Sequence, residues 1–99
     1  MQKVYISGKI TGLEEAVYMQ RFKLAEQKLK KMGYIPINPA KKGKIPGYHW
    51  ADYMRQDIQL LCDCDLIYLM PGWEESEGAK LEKELADRLS IPVLKIFSE

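Results

Sequence analysis

Two hydrophobic rhythms alternate along this chain. Short, nearly unbroken apolar runs are separated by longer stretches in which apolar residues recur every three or four positions. The first run, Lys3–Ser7, predicts a strand ending in the turn Gly8-Lys9-Ile10-Thr11-Gly12. Tyr18, Phe22, Ala25, Leu29 and Met32 then keep helical spacing, which predicts a helix from about Glu14 to Met32 with Gly33 as its stop. Tyr34–Ile37 is a short strand, and Pro36 within it predicts an edge position because proline lacks an N–H for the ladder. Asn38-Pro39 closes it. A loop, Ala40–Tyr48, carries Lys41, Lys42, Lys44, Pro46 and Gly47 before a second helix, Trp50–Cys62. Asp65–Met70 is apolar enough for a strand covered on both faces. Pro71-Gly72-Trp73 breaks that run, a third helix is predicted over Glu77–Leu89, and Ile91–Phe97 reads as a fourth strand.

Strands alternating with helices imply a parallel sheet and a single domain over residues 1–99. The expected fold is an α/β, Rossmann- or flavodoxin-like three-layer sandwich with four strands in the order 2-1-3-4. Such an order places a topological switch point between the first and third strands, where ligands bind beyond the carboxyl ends of the strands. The segments that reach this crevice are Gly8–Gly12 and Pro71–Gly78.

The same periodicity isolates two acids. At about 100° per residue, Gly78, Ala79, Leu81, Leu85, Ala86 and Leu89 of the third helix fall within an arc of about 160°. Glu82 lies inside that arc, whereas Glu77, Lys80, Lys83, Glu84, Asp87 and Arg88 lie outside it. A carboxylate facing apolar surroundings costs free energy unless it is paired, hydrogen-bonded or used for chemistry. Gly78, one turn earlier, leaves room for something to approach. Asp57 stands in the same way among Trp50, Ala51, Tyr53, Met54, Ile58, Leu61 and Cys62 of the second helix. A structural role for it would be an ion pair with Lys9 or Arg55, or bonds to backbone amides.

Composition narrows the function classes. The 99 residues are 46% apolar and 29% charged with a formal net charge of +1, which gives no reason to expect a nucleic-acid polymer or a membrane surface as partner. No apolar run is long enough to span a bilayer, and Met1-Gln2-Lys3 leads directly into a strand, so a cytoplasmic protein is expected. Cys62 and Cys64 are too close to brace much chain as a disulfide and are read as reduced, partly buried thiols. With His49 as the one histidine, neither a metal site nor a cofactor is expected; His49 reads as a cap or loop residue.

The turn Ser7-Gly8-Lys9-Ile10-Thr11-Gly12 suits an anion or a sugar hydroxyl, because glycines admit backbone amides and Lys9 and Thr11 add a charge and a hydroxyl. It is neither a Walker A loop nor a dinucleotide fingerprint. Ser76 caps the third helix in the ordinary reading and supplies a second hydroxyl at the crevice. Trp73 is a candidate stacking surface beside the crevice or a core or interface residue, and Tyr48 and Trp50 are candidates for a lid.

The tract Ser76-x-Gly78-Ala79-x-x-Glu82, with Tyr5-Ile6-Ser7-Gly8 and Asp57…Cys64-Asp65, resembles the nucleoside 2-deoxyribosyltransferase family. Among its small members, the chain is similar to 2′-deoxynucleoside 5′-monophosphate N-glycosidases and short bacterial and phage proteins. The resemblance implies that Glu82 attacks the anomeric carbon, that Tyr5 orients it, and that Asp57 or Asp65 assists departure of the base. It implies further that Gly8–Gly12 and Ser76 hold a 5′-phosphate and that the protein is a homo-oligomer, a dimer or dimer-based tetramer. The residue types suit the chemistry: breaking a nucleoside C–N bond puts positive charge on the sugar and negative charge on the base, as in retaining glycosidases. A non-catalytic protein that binds or sequesters a nucleotide-derived metabolite is the alternative from another class.

Overall fold

Lys3–Ser7 forms the central strand, β1, because its side chains are buried alternately on two faces. Val4 and Ile6 enter one hydrophobic cluster and Tyr5 the opposite one. The structure, a computed structural model, describes residues 1–96. Parallel partners flank β1 on either side, β2 (Ile35–Ile37) in the register Val4↔Pro36 and β3 (Leu66–Leu69) in the register Tyr5↔Ile67, giving the order β2-β1-β3. Pro36 therefore sits on an edge strand, as its missing donor requires.

Helix α1 (Glu15–Lys31) covers one face with Tyr18, Phe22 and Leu29, packed with Val4, Ile6, Tyr68 and Met70. The other face is covered by α2 (Trp50–Cys62) and α3 (Glu77–Arg88), whose Leu61 and Ala86 join Tyr5, Cys64 and Ile67. This is the three-layer α/β arrangement expected from the sequence.

The fourth strand is a correction. Residues 91–96 make an isolated parallel bridge, Val93 to Ile67, rather than a ladder; Phe97 lies outside the described residues. Ile67 N–H donates to Pro92 O and Leu94 N–H donates to Ile67 O, but Pro92 has no N–H to extend the pairing. The segment still packs against the sheet through Ile91 and Val93 on one side and Leu94 and Ile96 on the other. Among the described residues the sheet has three strands.

The predicted loop after β2 begins with a 3-10 turn, Pro39–Lys42, which Asn38 caps by accepting the Ala40 N–H at 2.9 Å. Asn38 also donates to Glu26 of α1, and Lys41 pairs with the same carboxylate at 2.8 Å. The chain after β2 is thereby fastened to α1 before it crosses to α2.

Candidate active site

Period-two alternation puts Tyr5 and Ser7 on the same face of β1, and that face looks onto α3. On α3, Ala79, Glu82 and Ala86 form its buried stripe at helical spacing. Glu82 is brought to the end of β1, where the Tyr5 hydroxyl donates to its Oε2 at 2.5 Å and the Ser7 hydroxyl to its Oε1 at 2.7 Å. Both carboxylate oxygens are thus held, and each keeps a lone pair beyond the bond it accepts. Ser7, expected among the ligand-binding residues, is a buried support of Glu82.

Burial governs the electrostatics. It pushes the Glu82 carboxyl up to about 7; the Tyr5 and Ser7 hydrogen bonds pull it down, the Asp57 charge raises it, and Lys42 lowers it. Burial and the Glu82 charge together raise the Tyr5 hydroxyl well above its ordinary range, so Tyr5 remains a donor.

Asp57 projects from the inner side of α2 and is buried. Its partner is neither Lys9 nor Arg55 but Lys42, whose ammonium lies 2.6 Å from Oδ1 and also donates to Pro39 O at 2.7 Å. Burial raises the Asp57 carboxyl and Lys42 offsets part of that rise. Lys42 was legible only as one lysine of a polar loop. The signal that marks it is the Asn38-Pro39 turn, which places it at the end of a capped 3-10 turn beside α2.

The following residues, 43–48, form a strap. Gly43 has φ 62°, and a side chain there would meet Glu15 Oε2 at 2.7 Å. Glu15, in the first turn of α1, accepts the Lys44 N–H at 2.7 Å, and the Tyr53 hydroxyl accepts the Ile45 N–H at 2.6 Å. The strap is therefore tied to both α1 and α2. Tyr48 and Tyr53 meet edge to face with centroids 5.0 Å apart.

Between strap, sheet and helices lies a cavity of about 460 Å³. Glu82, Asp57 and Lys42 line it together with Gly8, Ile10, Thr11, Gly12, Ser76 and Gly78, and Tyr48, Trp50 and Tyr53 form an aromatic wall. Ser76 caps α3, accepting the Ala79 N–H at 3.1 Å. The space beside Gly78 is occupied by α2: a Cβ there would lie 3.2 Å from Met54 Sδ and 3.7 Å from Trp50 Nε1. Gly78 allows the two helices to close one wall of the cavity.

Three predicted residues stand apart. Asp65 lies at the opposite, amino-terminal end of β3 and accepts the Lys3 N–H at 2.8 Å; parallel strands put residues preceding β3 and those following it at opposite edges of the sheet. Trp73 is half-buried in the 3-10 turn Trp73–Glu75 and does not line the cavity. Lys9 is 3.9 Å from Glu75 and is likewise absent from the lining. Cys62 is exposed rather than partly buried, and Cys64 is buried; both are free thiols. Among the described residues no group of histidine, cysteine and carboxylate side chains is arranged to hold a metal ion, and no helix is long and apolar enough to cross a membrane.

The family described as "Domain of unknown function (DUF4406)" matches residues 2–95, and the chain belongs to it. No curated protein matches the chain. The solved structure of a 2-deoxyribosyltransferase from the psychrotolerant bacterium Bacillus psychrosaccharolyticus, described as a biocatalyst for synthesis of nucleosides, superposes with a TM-score of 0.70. The match covers 92% of this chain and 69% of that one at 15% identity. The chain has a 2-deoxyribosyltransferase-like fold.

Proposed function

We propose that this member of the DUF4406 family cleaves, or transfers at, the N-glycosidic bond of a deoxynucleoside or its 5′-monophosphate, with Glu82 as nucleophile. The observation that carries the reading is the double hydrogen bond from Tyr5 and Ser7 to a carboxylate that lines the cavity. Two fixed donors hold one charged oxygen pair in place and favour its ionised form against burial, as an attacking carboxylate requires.

In this mechanism a Glu82 oxygen bonds to the anomeric carbon as the C–N bond breaks, and the electron pair of that bond leaves with the base. Water then releases the sugar in a hydrolase, or a second base takes it up in a transferase. Tyr48, Trp50 and Tyr53, rather than Trp73, supply an aromatic wall for the base. Thr11, Gly12, Gly8 and Ser76 line the cavity where the 5′ end of the sugar is proposed to lie, close to the start of α3. The reading includes a homo-oligomer, in which the exposed Trp50 and Leu60 of α2 are buried against a second copy.

The test is incubation of the purified protein with a panel of deoxynucleosides and their monophosphates, followed by chromatography for free base. Release of base by wild type and none by Glu82→Gln supports the proposal. Retention of an intact ligand with no base released by either protein shows a binder and refutes it.

A further inference from the structure

Asp57 and Lys42, bonded to each other at the cavity wall, have no part in the chemistry just described. Glu82 and Asp57 are both buried acids lining the cavity, and Lys42 is the cation bonded to one of them. With the Lys42 ammonium 2.6 Å away, Asp57 Oδ1 is engaged as an acceptor. Asp57 is thus placed to hold Lys42. Lys42 is suited to meet a departing base. Its ammonium has three N–H donors, of which Asp57 Oδ1 and Pro39 O take two.

The position is built rather than incidental. Lysine is a long, flexible side chain, and fixing it costs rotamer entropy. Here its head is fixed from two sides, and its backbone is fixed by the capped turn at Pro39–Lys42 and by Gly43, whose φ of 62° and close approach to Glu15 turn the chain. The Lys42 side chain is only 21% exposed, so its charge acts in a partly desolvated setting where it is worth more than in water.

We infer that Lys42 is a further catalytic residue, whose ammonium, anchored by Asp57, stabilises the negative charge that develops on the leaving base. The inference rests on the glycosidic reading above and assigns Asp57 the role of positioning Lys42. The electrons balance without another reactant. As the C–N bond breaks, its electron pair passes to the base nitrogen, which pairs with Lys42, while a Glu82 oxygen pair forms the new bond to carbon. In the hydrolytic second step a water oxygen bonds to that carbon, the carbon–Glu82 bond returns its pair to the carboxylate, and the water proton neutralises the departed base.

The test compares a deoxynucleoside, whose base is a poor leaving group, with 4-nitrophenyl 2-deoxyriboside, whose nitrophenolate leaves readily unaided. Lys42→Met keeps the apolar stem, and Lys42→Arg keeps the charge; circular dichroism checks that both fold. Lys42→Met is expected to lower kcat/KM for the deoxynucleoside roughly 100-fold or more, the scale of removing one preorganised electrostatic contact. For the nitrophenyl glycoside the loss is expected to stay below about tenfold, with partial recovery of nucleoside cleavage in Lys42→Arg. Equal losses on the two substrates would make Lys42 structural and overturn the inference. A loss confined to 5′-monophosphates would make it a phosphate ligand, and overturns it equally. If wild type cleaves the nitrophenyl glycoside and the deoxynucleoside while Lys42→Met matches it on both, the glycosidic reading stands and this inference falls. If wild type cleaves neither of these nor a deoxynucleoside 5′-monophosphate, both fall.

Discussion

Tyr5 and Glu82 are 77 residues apart in the chain and share a 2.5 Å hydrogen bond at the wall of the cavity. The bond couples the centre of the sheet to the second turn of α3. It also sets the protonation of the proposed nucleophile, because it opposes the burial that raises the Glu82 carboxyl.

Replacing Glu82 by Gln is expected to abolish base release without unfolding the protein. A glutamine oxygen still accepts from Tyr5, and its amide donates to Ser7, so the packing is retained. Removal of a buried charge is expected to leave Tm unchanged or raise it at pH 8, measured by thermal denaturation. A variant that melts far below wild type makes Glu82 a structural residue.

The pH dependence of stability has an unusual sign for a carboxylate. Burial raises Glu82 to about 7, so the folded state binds its proton more tightly than the unfolded state. Its contribution is greatest in acid and is lost as pH climbs from the ordinary value of 4.5 to about 7, by about 3 kcal/mol for this shift. Chemical denaturation at a series of pH values is expected to show that decline in wild type and to lack it in Glu82→Gln.

Activity is expected to run the other way. Only the ionised carboxylate attacks carbon, so kcat/KM should rise with pH to a plateau above about 7. Tyr5→Phe removes one donor to the charged form, which moves the midpoint of that rise to higher pH. Losing a hydrogen bond to a charged group costs about 1.5–3 kcal/mol, hence roughly tenfold or more in rate at neutral pH. An unshifted profile in Tyr5→Phe would remove the tyrosine from the mechanism.

Asp57 and Asp65 are expected to separate cleanly. Asp57→Asn leaves the Lys42 ammonium without its buried counter-charge and is expected to lower both turnover and stability, the latter by about 3 kcal/mol or more. Asp65→Asn keeps an oxygen for the Lys3 N–H at the far end of the sheet. Its turnover should match wild type, and its stability should change by less than about 0.5 kcal/mol. Parallel assays and urea denaturation of the two variants check this.

Gly43→Ala tests the strap. A β-carbon there is strained by the positive φ and displaces the Glu15 carboxylate that holds the Lys44 N–H, which loosens the turn that carries Lys42. The expected result is a loss of about 1–2 kcal/mol in stability together with a fall in kcat. Wild-type kinetics in this variant would show that the path of the strap does not govern Lys42.

The elements and their layers were readable in the chain because burial is written locally. Period two put Tyr5 and Ser7 on one face of β1, and helical spacing isolated Glu82 and Asp57 as inward acids. The resemblance of the Tyr5 and Glu82 motifs to a known family implies their pairing. What periodicity does not contain is which partner each inward group meets. Asp57 is bonded to Lys42, not to Lys9 or Arg55, because the capped turn after β2 directs that one lysine against α2, while Lys9 lies near Glu75. The resemblance left Asp57 and Asp65 as alternatives for one role, yet strand direction puts Asp65 at the opposite edge of the sheet from the cavity. The fourth strand is a single bridge, and Pro92, which lacks an N–H, cannot extend it on the amino-terminal side. Hydrophobic pattern decides which way a side chain faces; strand register and the course of the loops, set by contacts between distant residues, decide what it finds there.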